Sequence, residues 1–250
     1  MNFEKPIYHE RYCAFVDVLG FKEVVKDINR GLITPKRVIK LLKQIQTPYR
    51  RWHGDSAWQE DFRSISISDA MAFSTEPTPG GLRILLDLIE LLTVELLAED
   101  YLIRGAITLG PLYHSGDIIF GEALVRAYEN EARLARYPRV VLESRISDAA
   151  ERCGHGHAVR QASDGMMFVN FLNGVVAEVS AAKFNSRGNE FYVNKDVTYY
   201  RNIRDNLQAK LRSTRDNPNY FEKIQWISGQ WNDAIASVKV DIPPITGPGL

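Results

Sequence analysis

The sequence predicts an α/β (α+β) fold: a mostly antiparallel sheet with helices on one face, followed by a helical extension. Three observations carry this expectation. The apolar run Tyr12-Cys-Ala-Phe-Val-Asp-Val-Leu19 holds one carboxylate and reads as a strand buried on both faces. Ser64-Ile-Ser-Ile-Ser-Asp69 alternates strictly and continues into Ala70-Met-Ala-Phe-Ser74, the pattern of two short strands in a hairpin. Stretches with helical spacing separate these and later strand-like runs, in the order β-α-α-β-β-α-β-α-β.

Gly20 breaks the first strand, and Phe21 to Ile28 has helical spacing that Gly31 ends. Thr34 and Pro35 open a second helix to about Tyr49, as cap and first helical residue. The hairpin follows, with Asp69 near its tip. Pro79-Gly-Gly81 precedes an apolar helix to about Ala98, and Leu102 to Leu109 forms the next strand. Glu122 to Arg136 lacks Gly and Pro and is rich in helix formers, and Tyr137-Pro138 stops it. Arg139 to Glu143 reads as a strand and Gly165 to Val169 as a further one. Beyond about residue 180 the pattern changes to long polar helices, Val197 to Thr214 and Tyr220 to Val238. The chain is therefore expected to divide into residues 1–180 and a helical extension, 181–250. The Pro-rich tail from Ile242 is expected to be frayed or docked in extended form.

Bulk properties exclude several classes. Lys+Arg and Asp+Glu are equal at 31 each, so no global field recruits nucleic acid or an anionic membrane. The apolar stretch from Leu82 to Leu97 is interrupted by Arg83, Asp87, Glu90 and Glu95, which is no membrane span. Two distant cysteines, Cys13 and Cys153, suggest no disulfide framework, and the first residues lack the apolar core of a signal peptide. A reducing cytoplasm is the expected location. Cys153, His155 and His157 are spaced too tightly and lack a fourth partner for structural zinc.

The chemistry concentrates around Asp17. A carboxylate in an apolar strand is costly unless its charge is compensated. The turn after it offers the amides of Leu19, Gly20 and Phe21 at a helix start, a natural phosphate cradle. A carboxylate beside such a cradle is what a magnesium- or manganese-triphosphate site requires. In an antiparallel sheet the hairpin tip can lie beside the end of the first strand, and Asp17 and Asp69 would then hold two metal ions. Each has a plainer reading: Asp17 as an ion-paired structural residue, Asp69 as a turn residue. Phe15 shares the strand face of Asp17 and suits a core position better than a base-stacking one, and Arg104 reads first as a salt-bridge partner.

These segments resemble class III nucleotidyl cyclases. Phe15-Val-Asp-Val-Leu-Gly-Phe21 is similar to that family's phenylalanine-x-aspartate-(isoleucine or valine)-x-glycine-phenylalanine signature, and Asp69 falls where its second metal aspartate sits. Arg104-Gly-Ala-Ile-Thr-Leu-Gly110 resembles its arginine-x-glycine strand, and Gly121 with Ala132-Arg-Leu134 its glycine-to-alanine-arginine-leucine helix. The resemblance spans roughly residues 11 to 143. It implies a ferredoxin-like cyclase fold for residues 1–180. It also implies a homodimer with sites at the interface, and two Mn2+ or Mg2+ ions held by Asp17, Asp69 and the Val18 carbonyl. Phosphate would lie on Leu19, Gly20 and Phe21.

Two departures shape the expectation. The family's helix carries an asparagine and an arginine that act across the dimer; counted from Gly121, those positions hold Val125 and Glu129. Alignment on Arg133-Leu134 instead puts Glu129 at the asparagine position and leaves an extra helical turn. The helix offers Arg126, Asn130 and Arg133 as replacements, of which Arg126 and Asn130 lie one turn apart. Where adenylyl cyclases place a base-reading lysine and aspartate, this chain has Ile65 and Ile118, which cannot hydrogen-bond a purine edge. The combination looks like the pyrimidine cyclases of the Pycsar anti-phage system, which make cyclic UMP or cyclic CMP to activate a separate effector. UTP is the expected substrate, with CTP the alternative. A diguanylate cyclase is disfavoured by Ser68-Asp-Ala-Met71 where that family has its glycine-rich hairpin. A degenerate domain that binds nucleotide without turnover is the remaining rival.

Overall fold

The computed structural model describes residues 7–46, 61–181, 197–238 and 240–248. The chain forms two compact units, Met1–Ile89 with Ile103–Val169, and Glu90–Leu102 with Asn170–Leu250. The sequence pattern placed its single break near residue 180. It could not show that a segment from the middle of the chain joins the C-terminal part.

The first unit is built on the apolar run that contains Asp17. Strand β1 (His9–Val18) has Tyr12 to Val16 buried, as expected for a strand covered on both faces. Gly20 then takes a left-handed conformation at φ 80°, which lets the chain turn at once into α1 (Phe21–Asn29). Helix α2 (Pro35–Gln46) starts on its proline as predicted; the last residues expected for it lie outside the described residues. The alternating segment forms β2 (Arg63–Ile67) and β3 (Ala70–Thr75), joined by a two-residue turn with Ser68 at φ 61°.

Helix α3 (Pro79–Ala98) leads to β4 (Ile103–Ser115), which runs well past the strand expected to end at Leu109. A tight turn returns it as β5 (Ile118–Phe120). Next come α4 (Glu122–Leu134), β6 (Val140–Leu142), α5 (Ser144–Arg152), β7 (Val159–Gln161) and β8 (Met167–Val169). The sheet order is β2-β3-β1-β4-β6-β8-β7, with β5 paired to β4. All pairs are antiparallel except β4 with β6. Its first four strands follow the ferredoxin-like path, with β1 between β3 and β4 and β2 outside β3. The expected α+β class with a mostly antiparallel sheet is what the chain adopts.

Helix α4 packs on β1 and β4 through small residues. Ala123 joins Cys13 and Leu112, and Ala127 joins Phe15 and Ala70. Close approach also governs β4 beside β1. A Cβ on Gly105 would lie 2.4 Å from the Phe15 carbonyl oxygen, so glycine is required there.

In the second unit, α7 (Val197–Ser213) packs on α8 (Pro218–Ala236), and α6 (Asn173–Ala181) also packs on α8. Trp231, Ile203, Leu207 and Ile227 are buried. The Pro-rich tail is docked rather than frayed. Asn232 both accepts from the Ile245 amide and donates to its carbonyl, Gln208 does the same for Thr246, and Ile245 is buried. Side chains of two helices thus pair main-chain groups that no ladder satisfies.

Candidate functional site

The candidate site lies at the C-terminal end of β1. Register places Asp17 opposite Ala70 of β3 on one side and opposite Arg104 of β4 on the other. Asp69 immediately precedes Ala70, so the hairpin turn delivers its carboxylate next to Asp17, where it disfavours the charge of Asp17. The turn geometry expected from the alternation is therefore present, and the two aspartates read from the sequence are neighbours.

The electrostatics are those of crowded negative charge. Asp17 is pushed up from 3.8 to about 6, first by burial, then by Asp69 and Glu131, against a smaller opposing effect of Arg104. Among the described residues, Arg104 is the cation set against this group. Its Nη2 lies 3.6 Å from Asp17 Oδ2, while its Nε lies 2.6 Å from Glu131 Oε1. Glu131 is buried on the sheet-facing side of α4, and burial raises its carboxyl too. Two carboxyl groups, those of Asp17 and Glu131, thus share one guanidinium, and Asp69 adds its charge beside Asp17.

This donor set fits a divalent cation of the Mg2+ or Mn2+ kind. Hard carboxylate oxygens that repel one another, half-buried and incompletely paired, favour a hard cation over a protein cation. Among the described residues no three His, Cys, Asp or Glu side chains converge as a metal-holding group, so the available ligands are the aspartate pair with main-chain oxygen. Val18 is buried and pairs with Ile103, directly after Asp17. Leu19, Gly20 and Phe21 follow at the start of α1, where no side chain caps the helix and the first amides are available to an anion.

The remaining sequence-derived candidates are placed elsewhere. Phe15 is 8% exposed and packed against Ala70 and Ala127, with Tyr128 edge-on at 5.5 Å; it is a core aromatic. Arg126 pairs with Glu122 and Glu143 and donates to the Leu109 carbonyl at 2.5 Å. Leu109 is five residues from Arg104, or about 17 Å along β4, so Arg126 does not approach Asp17 of its own chain. Asn130 is half-buried and Arg133 exposed, and neither joins the aspartate cluster. Ile65 lies on β2 opposite Ala72, and Ile118 is exposed on β5.

No protein-family model matches the chain, and no curated protein matches it. The solved structures that it resembles include guanylyl and adenylyl cyclases. One solved structure is the catalytic core of a rhodopsin-guanylyl cyclase with converted specificity in complex with ATPαS: 14% identity over 65% of this chain and 95% of that chain, TM-score 0.48. Another is an adenylate/guanylate cyclase/hydrolase from Silicibacter pomeroyi, at 19% identity over 65% and 96%, TM-score 0.40. A third, a class III adenylyl cyclase-like ATP-binding protein from Pseudomonas aeruginosa, is 16% identical over 57% of this chain and 35% of that one, TM-score 0.40. The likeness is one of fold, and the site stands on its own geometry. No helix among the described residues is long and apolar enough to cross a membrane.

Glu131 is the site residue that sequence reasoning missed. The signal was present in the helix period. Ala123 and Ala127 are small residues four apart, and the next position on that stripe is Glu131. A carboxylate continuing a buried small-residue face needs a cation from the strand beneath it, and Arg104 supplies one.

Proposed function

We propose that this chain is a nucleotidyl cyclase of class III type that converts UTP to 3′,5′-cyclic UMP and pyrophosphate. The observation that carries the reading is the juxtaposition of Asp17, on β1, and Asp69, in the turn between β2 and β3, at the end of β1 where α1 begins. Asp17, Asp69 and the Val18 carbonyl would hold two Mn2+ or Mg2+ ions, and the amides of Leu19, Gly20 and Phe21 would receive the phosphates. The bound ions would lower the pKa of the ribose 3′-hydroxyl and offset phosphate charge. The 3′-oxygen, having given its proton to solvent water, would form a bond to the α-phosphorus as the bond from that phosphorus to the bridging oxygen breaks. Pyrophosphate leaves with that electron pair.

The reading includes a homodimer whose sites lie at the interface. It is supported by the outward face of α4, where Val125 and Tyr128 are more than half exposed, and by the distance of Arg126 from the aspartates of its own chain. Arg126, Asn130 or Arg133 of one subunit would then stabilise charge developing in the other's site. Pyrimidine preference rests on Ile65 and Ile118: an adenine or guanine edge left against isoleucine loses roughly 1–3 kcal/mol per unpaired polar group. The cyclic nucleotide would act as an antiviral signal to a separate effector. The ion pairs that occupy Arg126 favour a second reading, nucleotide binding without turnover.

The test offers the protein equimolar ATP, GTP, CTP and UTP with Mn2+ and resolves the products by chromatography. Cyclic UMP as the main product is expected. Dominant cyclic CMP would move the substrate to CTP, dominant cyclic AMP or cyclic GMP would overturn the pyrimidine reading, and tight binding without product would select the second reading.

A further inference from the structure

The pairing of β1 with β4 sets Asp17 and Arg104 directly across from each other. Opposite charges at such positions ordinarily close onto one another. Here they do not: the near contact of the guanidinium, at 2.6 Å, is to Glu131 on α4, and Asp17 stands off at 3.6 Å. Glu131 Oε1 and Arg104 Nε are both buried and neither finds an aligned hydrogen-bond partner among the described residues, so the 2.6 Å ion pair between them is the compensation each has for burial. The Glu131 side chain is 4% exposed, whereas those of Arg104 and Asp17 keep 29% and 22%. The clamp lies inside, and the open side of the cluster belongs to the aspartates.

We propose that Glu131 is a positioning residue that holds Arg104 by its Nε and so prevents the guanidinium from closing onto Asp17 and taking the place of a divalent cation. The inference deepens the cyclase reading and rests on it for what the cation is for. Two properties make a clamp necessary. An arginine is always charged and matches a carboxylate in a two-pronged fork, so an unrestrained Arg104 would compete directly for the Asp17 oxygens. A buried carboxylate without a cation is strongly disfavoured, so Glu131 retains its guanidinium when a metal ion neutralises Asp17. Arg104 is thereby kept near the site without filling it.

Glu131→Asp keeps the charge and shortens the reach by one methylene, whereas Glu131→Gln keeps the length and removes the charge. Both are expected to weaken Mn2+ binding, measured by calorimetry on nucleotide-free protein, by on the order of 10-fold, the scale on which groups just outside the ligand set tune metal affinity. In metal-free protein, the Arg104 Nε–Hε resonance is expected to move in both variants, with circular dichroism confirming that each is folded. Wild-type Mn2+ affinity in Glu131→Asp would overturn the clamp in favour of a through-space charge effect. An unmoved Arg104 resonance in both variants would overturn it outright. The resonance is read without metal, so it tests the clamp even if wild-type protein binds no Mn2+, a result that would count against the cyclase reading alone.

Discussion

Replacing Asp17 with asparagine should make the metal-free protein more stable while removing its proposed activity. Asp17 sits at about 6 in the folded chain against an ordinary 3.8, because burial and the neighbouring Asp69 and Glu131 disfavour its charge. At ~1.4 kcal/mol per pH unit, that gap corresponds to about 3 kcal/mol of destabilisation once the group is ionised. The sign follows from proton counting. Between pH 4 and 6 the folded state holds a proton that the unfolded state has lost, so stability declines as pH rises through this window and the loss is complete above it. The asparagine of the variant never ionises and carries none of this penalty. With 22% of the Asp17 side chain exposed, solvent screens part of the effect, and a Tm increase of roughly 5–10 °C is expected at pH 8. The assay is thermal unfolding of wild type and Asp17→Asn in EDTA at pH 4 and pH 8. A gain that grows with pH is predicted. An equal gain at both pH values, or a lower Tm for the variant at pH 8, would refute the reasoning.

Two further outcomes follow from other parts of the structure. His114 is held down at about 4, first by burial and then by Arg11 and Arg63. The unfolded chain therefore takes up a proton that the folded chain refuses between pH 6.5 and 4, and stability should fall as pH drops through that range. Thermal unfolding of His114→Asn should show a shallower fall, and an unchanged pH profile would count against this assignment. If the site is shared between subunits, Asp17→Asn chains mixed with whichever of the Arg126→Ala, Asn130→Ala and Arg133→Ala chains is inactive alone should regain part of the activity. A fully active monomer in sedimentation would overturn the shared site.

The candidate site was legible where local pattern and chemistry coincide. One aspartate in an apolar strand followed by Gly20, and another at the end of a strictly alternating run, located Asp17 and Asp69, and strand register then made them neighbours. What escaped depended on pairing across the fold. Strand β5 has three residues, too few for alternation to register, and only its return onto Tyr113–Ser115 defines it. Glu131 looked like one polar residue among several on α4 until the strand beneath presented Arg104. The tail gave no helical or strand signal because its order comes from Gln208 and Asn232, far away in sequence. Residues 90–98 read as the continuation of a helix and Leu102 as the start of the next strand, and nothing local marks the membership of residues 90–102 in the second compact unit.

The most direct test of the account is product formation from UTP and Mn2+ by wild type, Asp17→Asn and Asp69→Asn, each first shown to be folded. Removing one formal charge from a site that must offset divalent cations should abolish turnover in both variants, while wild type forms cyclic UMP and pyrophosphate in equal amounts. Robust turnover by either variant would contradict the assignment of the aspartate pair as the metal-holding centre.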